Sequence, residues 1–536
     1  MTGSFLVGLD IGGSGAKAGL FSVDGRHRRT AVVEYQMTST TPGHAEQDAE
    51  EWWKAAGSAI RAVLEGVDPA SVCGLGVGCT NGVVAVDEHA RPLRPALMLW
   101  DQRSLAEVKE IRDLLGGEQV LQVTGNPVAP GAYALPTLLW LKRHEPDVFS
   151  AAHKLMVPGG YLVARLTGEF TIDHSRACTT LLFDIRRRCW HTPFLEAAGI
   201  PIEKLPRPLP SECRAGRVTP GAAGLTGLAA GTPVVAGCMD TIGASIGCGV
   251  TKPGECFVIM GTAARVCEPL ASPNFDPRFM NCTHVAADRW LAIGALNGIG
   301  SSWRWIRDNF GQAERSVAEA TGQNVYGLLA AEAARAPAGS KGLIFLPYIS
   351  GERTPIWDPF ARGVFFGVTL GHTRNDFLRS VLEGTAFAIR QVLELLDRER
   401  GVPIPEVRIS GAAAASDLWN QIIADVAGKD VVTMVENQTE ALGAALVAGV
   451  GVGAFPDYET AIAGMVATGK RFAWDRERHA AYDQLFPLYQ ELYADLKPYF
   501  ERLAGLDLDQ VWVTRGATDG GRGRSSRADP LCTAGV

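Results

Sequence analysis

The chain reads as an α/β protein of two domains, and three observations lead there. Strand-like and helix-like segments alternate through both halves, which is how sheets covered by helices are encoded. A strand, a small-residue turn and a second strand open the chain, in FLVGLDIGGSGAKAGLFSVDG. The same theme returns past the middle, in ECFVIMGTAARVCE. The length, 536 residues, exceeds what one core of ordinary size holds. The two hairpins share a theme but too little sequence to count as a repeat.

Each element has its own signal. In the first strand Phe5, Val7, Leu9 and Ile11 take one side and Leu6, Gly8 and Asp10 the other. AKAGLFSVDG is a second strand ending in an Asp24-Gly25 turn, so the pair is a hairpin with a glycine-rich connection. HAEQDAEEWWKAAGSAIRAVL is a helix, with Asp48 fitting the N-cap and Glu51 at capping-box spacing. VCGLGVG is a buried strand. GAYALPTLLWLKRHEPDVF and GGYLVARLTGEF are helical. TPVVAGCMDTIGASIG is a strand feeding a helix. In the second half GLIFLPYISG and EVRISG are strands. DFLRSVLEGTAFAIRQVLELL and EALGAALVAGVG are helices, and a last helical stretch ends near Leu508. The remaining residues, 509–536, are rich in Gly, Ser and Arg and read as a disordered tail.

Composition excludes several functions. A net charge of -7 without a basic stripe argues against nucleic acid as partner. No apolar run reaches the ~18 residues a membrane span needs. MTGSFLVGLD carries no basic region ahead of an apolar stretch, so no signal peptide is expected. Eleven cysteines without a C-x-x-C pair fit a reducing cytoplasm rather than a disulfide scaffold or a zinc site. The ten histidines form no H-E-x-x-H, which leaves transition-metal catalysis without support.

The chemistry concentrates in a few stretches. In GLDIGGSG, residues 8–15, the turn Gly12-Gly13-Ser14-Gly15 offers backbone N–H groups to a close anion. Asp10 can hold a hydrated magnesium and Lys17 adds positive charge. A tight hairpin whose glycines serve only the turn is the plain alternative. The spacing fits neither a Walker A loop nor a dinucleotide fingerprint. Asp240 closes the apolar strand VVAGCMD just before a helix, where α/β sites collect their chemistry. A carboxylate there can take a proton from an attacking hydroxyl, or merely cap the helix. Gly261 and Thr262 in IMGTAAR form a second candidate phosphate cradle. The small-residue surfaces ISGAAAASDLW and EALGAALVAG suit an adenine ring, and equally a close helix pair. In LWDQRS, Trp100, Asp101, Gln102 and Arg103 put donors and acceptors beside an aromatic ring, as a polyhydroxy compound requires; a surface turn is the alternative.

These pieces stand in the order shown by the FGGY carbohydrate kinases, and the chain resembles that family. The most specific match is GVFFGVTLGHTRNDFLRSVLEG, residues 363–384, which resembles the family's second signature from Gly363 and Gly367 through Asp376, Ser380, Glu383 and Gly384. FLPYISGERTPIWDPFARG, EQDAEEWW, YLVARLTGEF and GALNGIGSSWRWIRDNFG resemble the xylulokinase-type branch. The resemblance spans residues 4–505. It implies a two-domain ATPase fold of the actin, hexokinase and Hsp70 type, with ribonuclease H-like domains and a cleft between them. Residues 1–247 would bind sugar and carry the base, and residues 248–508 would bind nucleotide.

The resemblance also implies roles. ATP and Mg2+ would be the cofactors and a small ketose or polyol the acceptor, with D-xylulose leading and L-xylulose, ribulose, erythritol or glycerol as the alternatives. Asp10 would assist metal and phosphate, and Asp240 would be the base, also near the metal. Gly12, Gly13, Ser14, Lys17, Gly261 and Thr262 would meet phosphates. Gly411, Ala412 and Asn437, with the helix that follows, would line the adenosine pocket. Thr80, Asn81, Trp100, Asp101, Arg103 and Asp240 would face the sugar. A homodimer is compatible with this reading. The departures fall in the sugar half: Thr137 where the first signature carries lysine, Cys79-Thr80-Asn81-Gly82 in place of Gln-Met-His-Gly, LWDQR one residue tighter than W-x-D-x-R, and Gly159-Gly160 in place of a Lys-Asp pair. An ATP-driven conformational protein and a silent sugar-binding regulator are the rivals from other classes.

Overall fold

In the structure, a computed structural model, residues 4–506 are described except 27, 37–40 and 42. The expected tail, and the expected end near Leu508, lie outside the described residues.

The opening hairpin forms as its pattern predicts. Phe5–Ile11 pairs antiparallel with Gly15–Ser22, placing Asp10 opposite Lys17 and Gly8 opposite Gly19. The Asp24-Gly25 turn is present, with the Gly25 amide donating to the Ser22 carbonyl. Arg28–Glu34 extends the hairpin antiparallel, and Val72–Cys79 joins Phe5–Ile11 from the other side, in parallel. Further out come Pro233–Val235 and Arg214–Arg217, while Cys238–Met239 lies along the end of Val72–Cys79. Helix Ala49–Leu64 covers one face; Trp52, Ala56, Ile60 and Val63 pack with Val7, Leu9 and Ile11. Asp48 caps it through the Glu50 amide. The second arm of the expected capping box is absent, because Glu51 pairs with Lys54 instead.

The second half repeats this topology without repeating the sequence. Cys256–Met260 and Ala264–Leu270 form an antiparallel hairpin, extended by Trp290–Leu296 and Met280–Thr283. Glu406–Ser410 joins Cys256–Met260 in parallel, followed by Asp430–Met434 and Thr468–Phe472. Each half therefore has antiparallel strands running out from its opening hairpin, three in the first half and four in the second, with a parallel strand added beside the hairpin's first member. The expected strand GLIFLPYISG shrinks to Ile344–Leu346, paired only with Val364–Phe366 and outside both large sheets. Pro347 follows directly, and proline cannot donate to a ladder.

Two short-side-chain helices join the halves. Asp240–Gly247 crosses Thr439–Gly451. A Cβ built on Gly443 would fall 1.7 Å from the Gly243 carbonyl oxygen, so the backbones touch. Thr439–Gly451 also lies against the first sheet, since a Cβ on Gly8 would meet the Ala441 oxygen at 1.8 Å. The stretch EALGAALVAG is thus spent on packing between the halves. That corrects the expectation that the helix after Asn437 lines an adenosine pocket, and its residues from Thr439 to Gly449 are all buried.

The second signature proves to be a folding device. Arg374–Arg400 starts at a capping box between Thr373 and Asp376, and Lys341 also pairs with Asp376. Two turns further in, the buried Glu383 carboxylate accepts from the Gly339 amide, Ser340, Arg379 and Tyr482. A buried carboxylate with this many donors ties a loop and the C-terminal helix to one point.

Candidate active site

The site begins with side-chain alternation. Gly8 and Asp10 are two residues apart on one strand, so they face the same side. Gly8 runs under helix Thr439–Gly451, so Asp10, one pair further, comes out at that helix's N-terminal end, beside Glu440. Asp10 is 2 % exposed. Its Oδ2 lies 3.4 Å from Lys17 Nζ, and its Oδ1 has no hydrogen-bond partner. Burial lifts the carboxyl to about 6; Lys17 opposes the shift, and the Glu440 and Asp240 carboxylates add to it. A buried carboxylate with one unsatisfied oxygen, among other carboxylates, is a fitting outer ligand for a hydrated divalent cation.

The turn after the strand is only partly the cradle expected. The Gly12 amide donates to the Gly15 carbonyl at 3.0 Å, so it is spent inside the turn. Tyr35 and Gln47 hold the Gly12 and Gly13 carbonyls from behind. Ser14 is exposed at the tip, and a Cβ on Gly13 would strike the Trp100 ring at 2.6 Å. The glycine at 13 makes room for that indole, which brings Trp100 onto the 12–15 turn.

Asp240 begins its helix from a buried position. Its Oδ1 accepts from the Thr241 amide and hydroxyl at 2.6 and 3.0 Å. Its Oδ2 lies 2.9 Å from Arg265 Nη2, and Arg176 Nη2 is 3.7 Å from Oδ1. Burial alone would raise this carboxyl, but Arg265, Arg176 and the Thr241 donors overcome it and leave it below the usual carboxylate range. Both Asp240 oxygens already face donors, so Asp10, with its free Oδ1, is the more open of the two carboxylates toward a cation.

The other expected sugar contacts are occupied by partners of their own. Asp101 and Arg103 form a two-pronged ion pair at 2.8 Å; Asp101 also accepts from the Ala45 amide, and Arg103 stacks on Trp140. Asn81 accepts from Arg176 at 2.6 Å and from Thr179. Thr80 is buried, its amide donating to the Ile11 carbonyl. These residues build the wall of the site, and the geometry leaves their polar atoms little to offer a ligand.

In the second half, Gly261 and Thr262 cap the hairpin. A Cβ on Gly261 would find nothing closer than the Ala263 oxygen at 3.7 Å, so the space before it is open. Helix Ile299–Phe310 starts against this turn, with the Ser301 amide on the Thr262 carbonyl and Arg304 on the Thr262 hydroxyl. Gly411, at φ +94°, sits with its Cα beside Met260, while Ser410 bonds the Asn437 carbonyl and Thr439. The turn at 261, the 411–412 turn and Asn437 therefore share one end of the second sheet, the end where parallel strands present ligand sites.

Four residues escaped the sequence reading: Arg176, Arg265, Arg353 and Glu440. Arg353 lies in FLPYISGERTPIWDPFARG, Arg265 ends IMGTAAR and Glu440 opens EALGAALVAG, while Arg176 stands in no marked stretch.

Comparison with known proteins agrees with the geometry. Residues 5–247 match the FGGY family of carbohydrate kinases, N-terminal domain, and residues 254–452 match its C-terminal domain. The chain is 27% identical over 503 residues to a gluconokinase of Bacillus licheniformis, covering 94% of this chain and 98% of that one. It is 30% identical over 498 residues to a xylulose kinase of Escherichia coli, covering 92% and 99%. Among solved structures, a xylulose kinase from Rhodospirillum rubrum superposes with a TM-score of 0.81 at 31% identity, covering 93% of this chain and all of that one. The fold is accordingly the two-domain actin- and hexokinase-type ATPase architecture. With both halves matched in order, and Asp10 and Asp240 brought within electrostatic reach where the halves meet, the chain belongs to the FGGY family of carbohydrate kinases.

Proposed function

We propose that the protein transfers the γ-phosphoryl group of MgATP to a terminal hydroxyl of an open-chain sugar or sugar derivative, with Asp240 as the base. One observation supports this above the rest. Asp240 is buried and held ionised by Arg265 and Arg176, within reach of the unsatisfied Asp10 carboxylate. In this reading residues 1–247 carry the acceptor site and base, and residues 248–508 carry the nucleotide site.

Asp240 accepts the proton that leaves the acceptor hydroxyl as its oxygen bonds to phosphorus. A carboxylate below the usual range is a weak base, which suits a loose transition state where the proton leaves late. Asp10 would hold the magnesium that travels with ATP, through water, on Oδ1. That ion would neutralise charge on the β- and γ-phosphate oxygens. Lys17, the Gly13–Ser14 tip and the Gly261–Thr262 turn surround the transferred group with donors. Gly411, Ala412 and Asn437 take the adenosine end. Trp100 covers the phosphate turn; Asp101, Arg103, Thr80 and Asn81 keep Trp100 and Arg176 in place rather than meeting sugar directly.

The named relatives include both xylulose kinases and gluconokinases at similar identity. D-xylulose, the candidate from the resemblance, and D-gluconate are therefore the first acceptors to test. Asp240→Asn removes the base while keeping the shape. It should lower kcat by about a hundredfold or more, with MgATP still binding as in the native protein. Near-native kcat in this variant would sink the role given to Asp240.

A further inference from the structure

The turn at residues 12–15 is uneven in its hydrogen bonding. Every carbonyl in it accepts. The Tyr35 hydroxyl donates to the Gly12 carbonyl at 2.6 Å and Gln47 Nε2 to that of Gly13 at 2.7 Å. The Tyr35 amide donates to the Ser14 carbonyl at 3.2 Å, and the Gly12 amide to that of Gly15 at 3.0 Å. Among the described residues, the amides of Gly13 and Ser14 donate to nothing. In a trans peptide the N–H points opposite to the C=O that precedes it. Holding the Gly12 carbonyl therefore aims the Gly13 N–H away from Tyr35, and holding the Gly13 carbonyl aims the Ser14 N–H away from Gln47. The open side of the turn is left with donors and without an acceptor that would repel an anion.

The direction of the Gln47 amide is itself fixed one layer further out. Gln47 is buried, and Trp52 Nε1 donates to its Oε1 at 3.0 Å. An indole nitrogen can only donate, so Oε1 must face Trp52 and Nε2 is left for Gly13. Trp52 is buried in turn, on helix Ala49–Leu64. A relay thus runs from helix to strand to turn, Trp52 to Gln47 to Gly13, and its first two members are shut away from any ligand.

Resting on the kinase reading above, we propose that Gln47 and Tyr35 are positioning residues for phosphoryl transfer. They turn the carbonyls of the 12–15 turn inward so that the Gly13 and Ser14 amides meet the γ-phosphoryl group, and Trp52 sets which way the Gln47 amide points. In the transfer, the γ-phosphorus bonds to the acceptor oxygen and its bond to the bridging oxygen breaks. That electron pair stays on ADP, and the hydroxyl proton goes to Asp240. Charge on the equatorial oxygens then meets amides that are already aimed, with no rearrangement needed at that moment.

The experiment compares a non-hydrolysable ATP analogue with ADP, each titrated with Mg2+ into the full chain by calorimetry. The two ligands differ in the group these amides should hold. The native protein should bind the ATP analogue about tenfold or more tighter than ADP, as expected for hydrogen bonds to a charged group. Gln47→Met keeps the length of the side chain and removes its donor; it should erase most of that preference and leave the Kd for ADP within about twofold, since the adenosine end is untouched. Tyr35→Phe should do the same in part. Trp52→Phe should weaken the preference in the native background and add nothing to Gln47→Met, because the two act through one relay. With D-gluconate or D-xylulose as acceptor, kcat in Gln47→Met should fall about tenfold to a hundredfold. A native-like preference in Gln47→Met overturns the proposal. So does a loss of ADP affinity in step with the melting temperature, which would reduce the relay to packing. Should Gln47→Met fail to fold, Tyr35→Phe, which removes a single oxygen, decides by the same ratio. Equal native affinities for the two nucleotides overturn the positioning role and leave the kinase reading standing, whereas binding of neither counts against the kinase reading, and the positioning role falls with it.

Discussion

At the scale of single residues, the two carboxylates are pushed in opposite directions. Both are buried, but Asp10 has one lysine against two nearby carboxylates, while Asp240 has two arginines and a helix-start amide. Asp10 at about 6 lies above the unfolded value of 3.8. Ionising it therefore costs the folded state. That contribution to stability is present below the unfolded value, falls as pH rises from about 4 to about 6, and stays lost above. Function runs the other way, because only the ionised form can hold a cation. Dependence of kcat/KM for MgATP on pH should show an acid limb near 6. Asp10→Asn should remove that limb along with most activity, and should keep or raise the melting temperature at pH 8. A limb that persists in Asp10→Asn would assign it to another group. Asp240 carries no such limb at this pH, since its depressed carboxyl stays ionised well below it.

At the scale of elements, the turns separate those shaped by the fold from those left open. Gly411 has φ +94° and a Cβ there would lie 2.6 Å from the Met260 oxygen, so Gly411→Ala should lower the melting temperature by several degrees. Gly261 meets nothing until 3.7 Å, so its glycine serves no packing need. Gly261→Val should leave the melting temperature nearly unchanged and raise KM for MgATP about tenfold or more, because the branched side chain fills space a phosphate needs. An unchanged KM would reduce this turn to a connection. The first-half loop teaches a different lesson. Cys79 Sγ accepts the Gly159 amide at 2.8 Å, and a Cβ on Gly159 would lie 2.6 Å from that sulfur. Two departures from the family pattern, at 79 and at 159, thus compensate each other. Replacing Cys79-Thr80-Asn81 by Gln-Met-His alone should destabilise the protein, by crowding Gly159 and by taking Asn81 from Arg176. Native-like melting in that variant would show the loop to be independent.

At the scale of the whole molecule, two sheets of like topology meet through two helices in backbone contact, through hydrogen bonds such as Asn126 with Asn281 and Arg28 with the Met465 carbonyl, and through the Arg265–Asp240 ion pair that spans the halves. The helix crossing is the fixed point, since Gly443 and Gly243 leave no slack between them. The ion pair is the adjustable part, because an acceptor at Asp240 competes with Arg265. Closure should therefore need both ligands. The radius of gyration by X-ray scattering should fall measurably with acceptor plus a non-hydrolysable ATP analogue and much less with either alone. Closing is what excludes water from the transferred group. Equal compaction by nucleotide alone would mean that the acceptor plays no part in it.

The sequence by itself determined the α/β class, the hairpins, the helices and the two carboxylates at strand ends, because these are local: periodicity, turn residues and a capping aspartate lie within a few positions of one another. It also marked the family, since FGGY-type signatures are contiguous. What depends on partners far along the chain it could not show. Asp101, Arg103 and Asn81 have the right chemistry for sugar, yet their atoms are taken by Ala45, Glu46, Trp140 and Arg176. EALGAALVAG has a composition that suits either a ring or a helix, and only the crossing with Asp240–Gly247 decides for the helix. Arg176 carries no local mark and acts only because the fold brings it together with Arg265 beside one carboxylate. Backbone pattern is written in neighbours, whereas the charge balance of a site is a sum over residues hundreds of positions apart, and only the tertiary structure performs that sum.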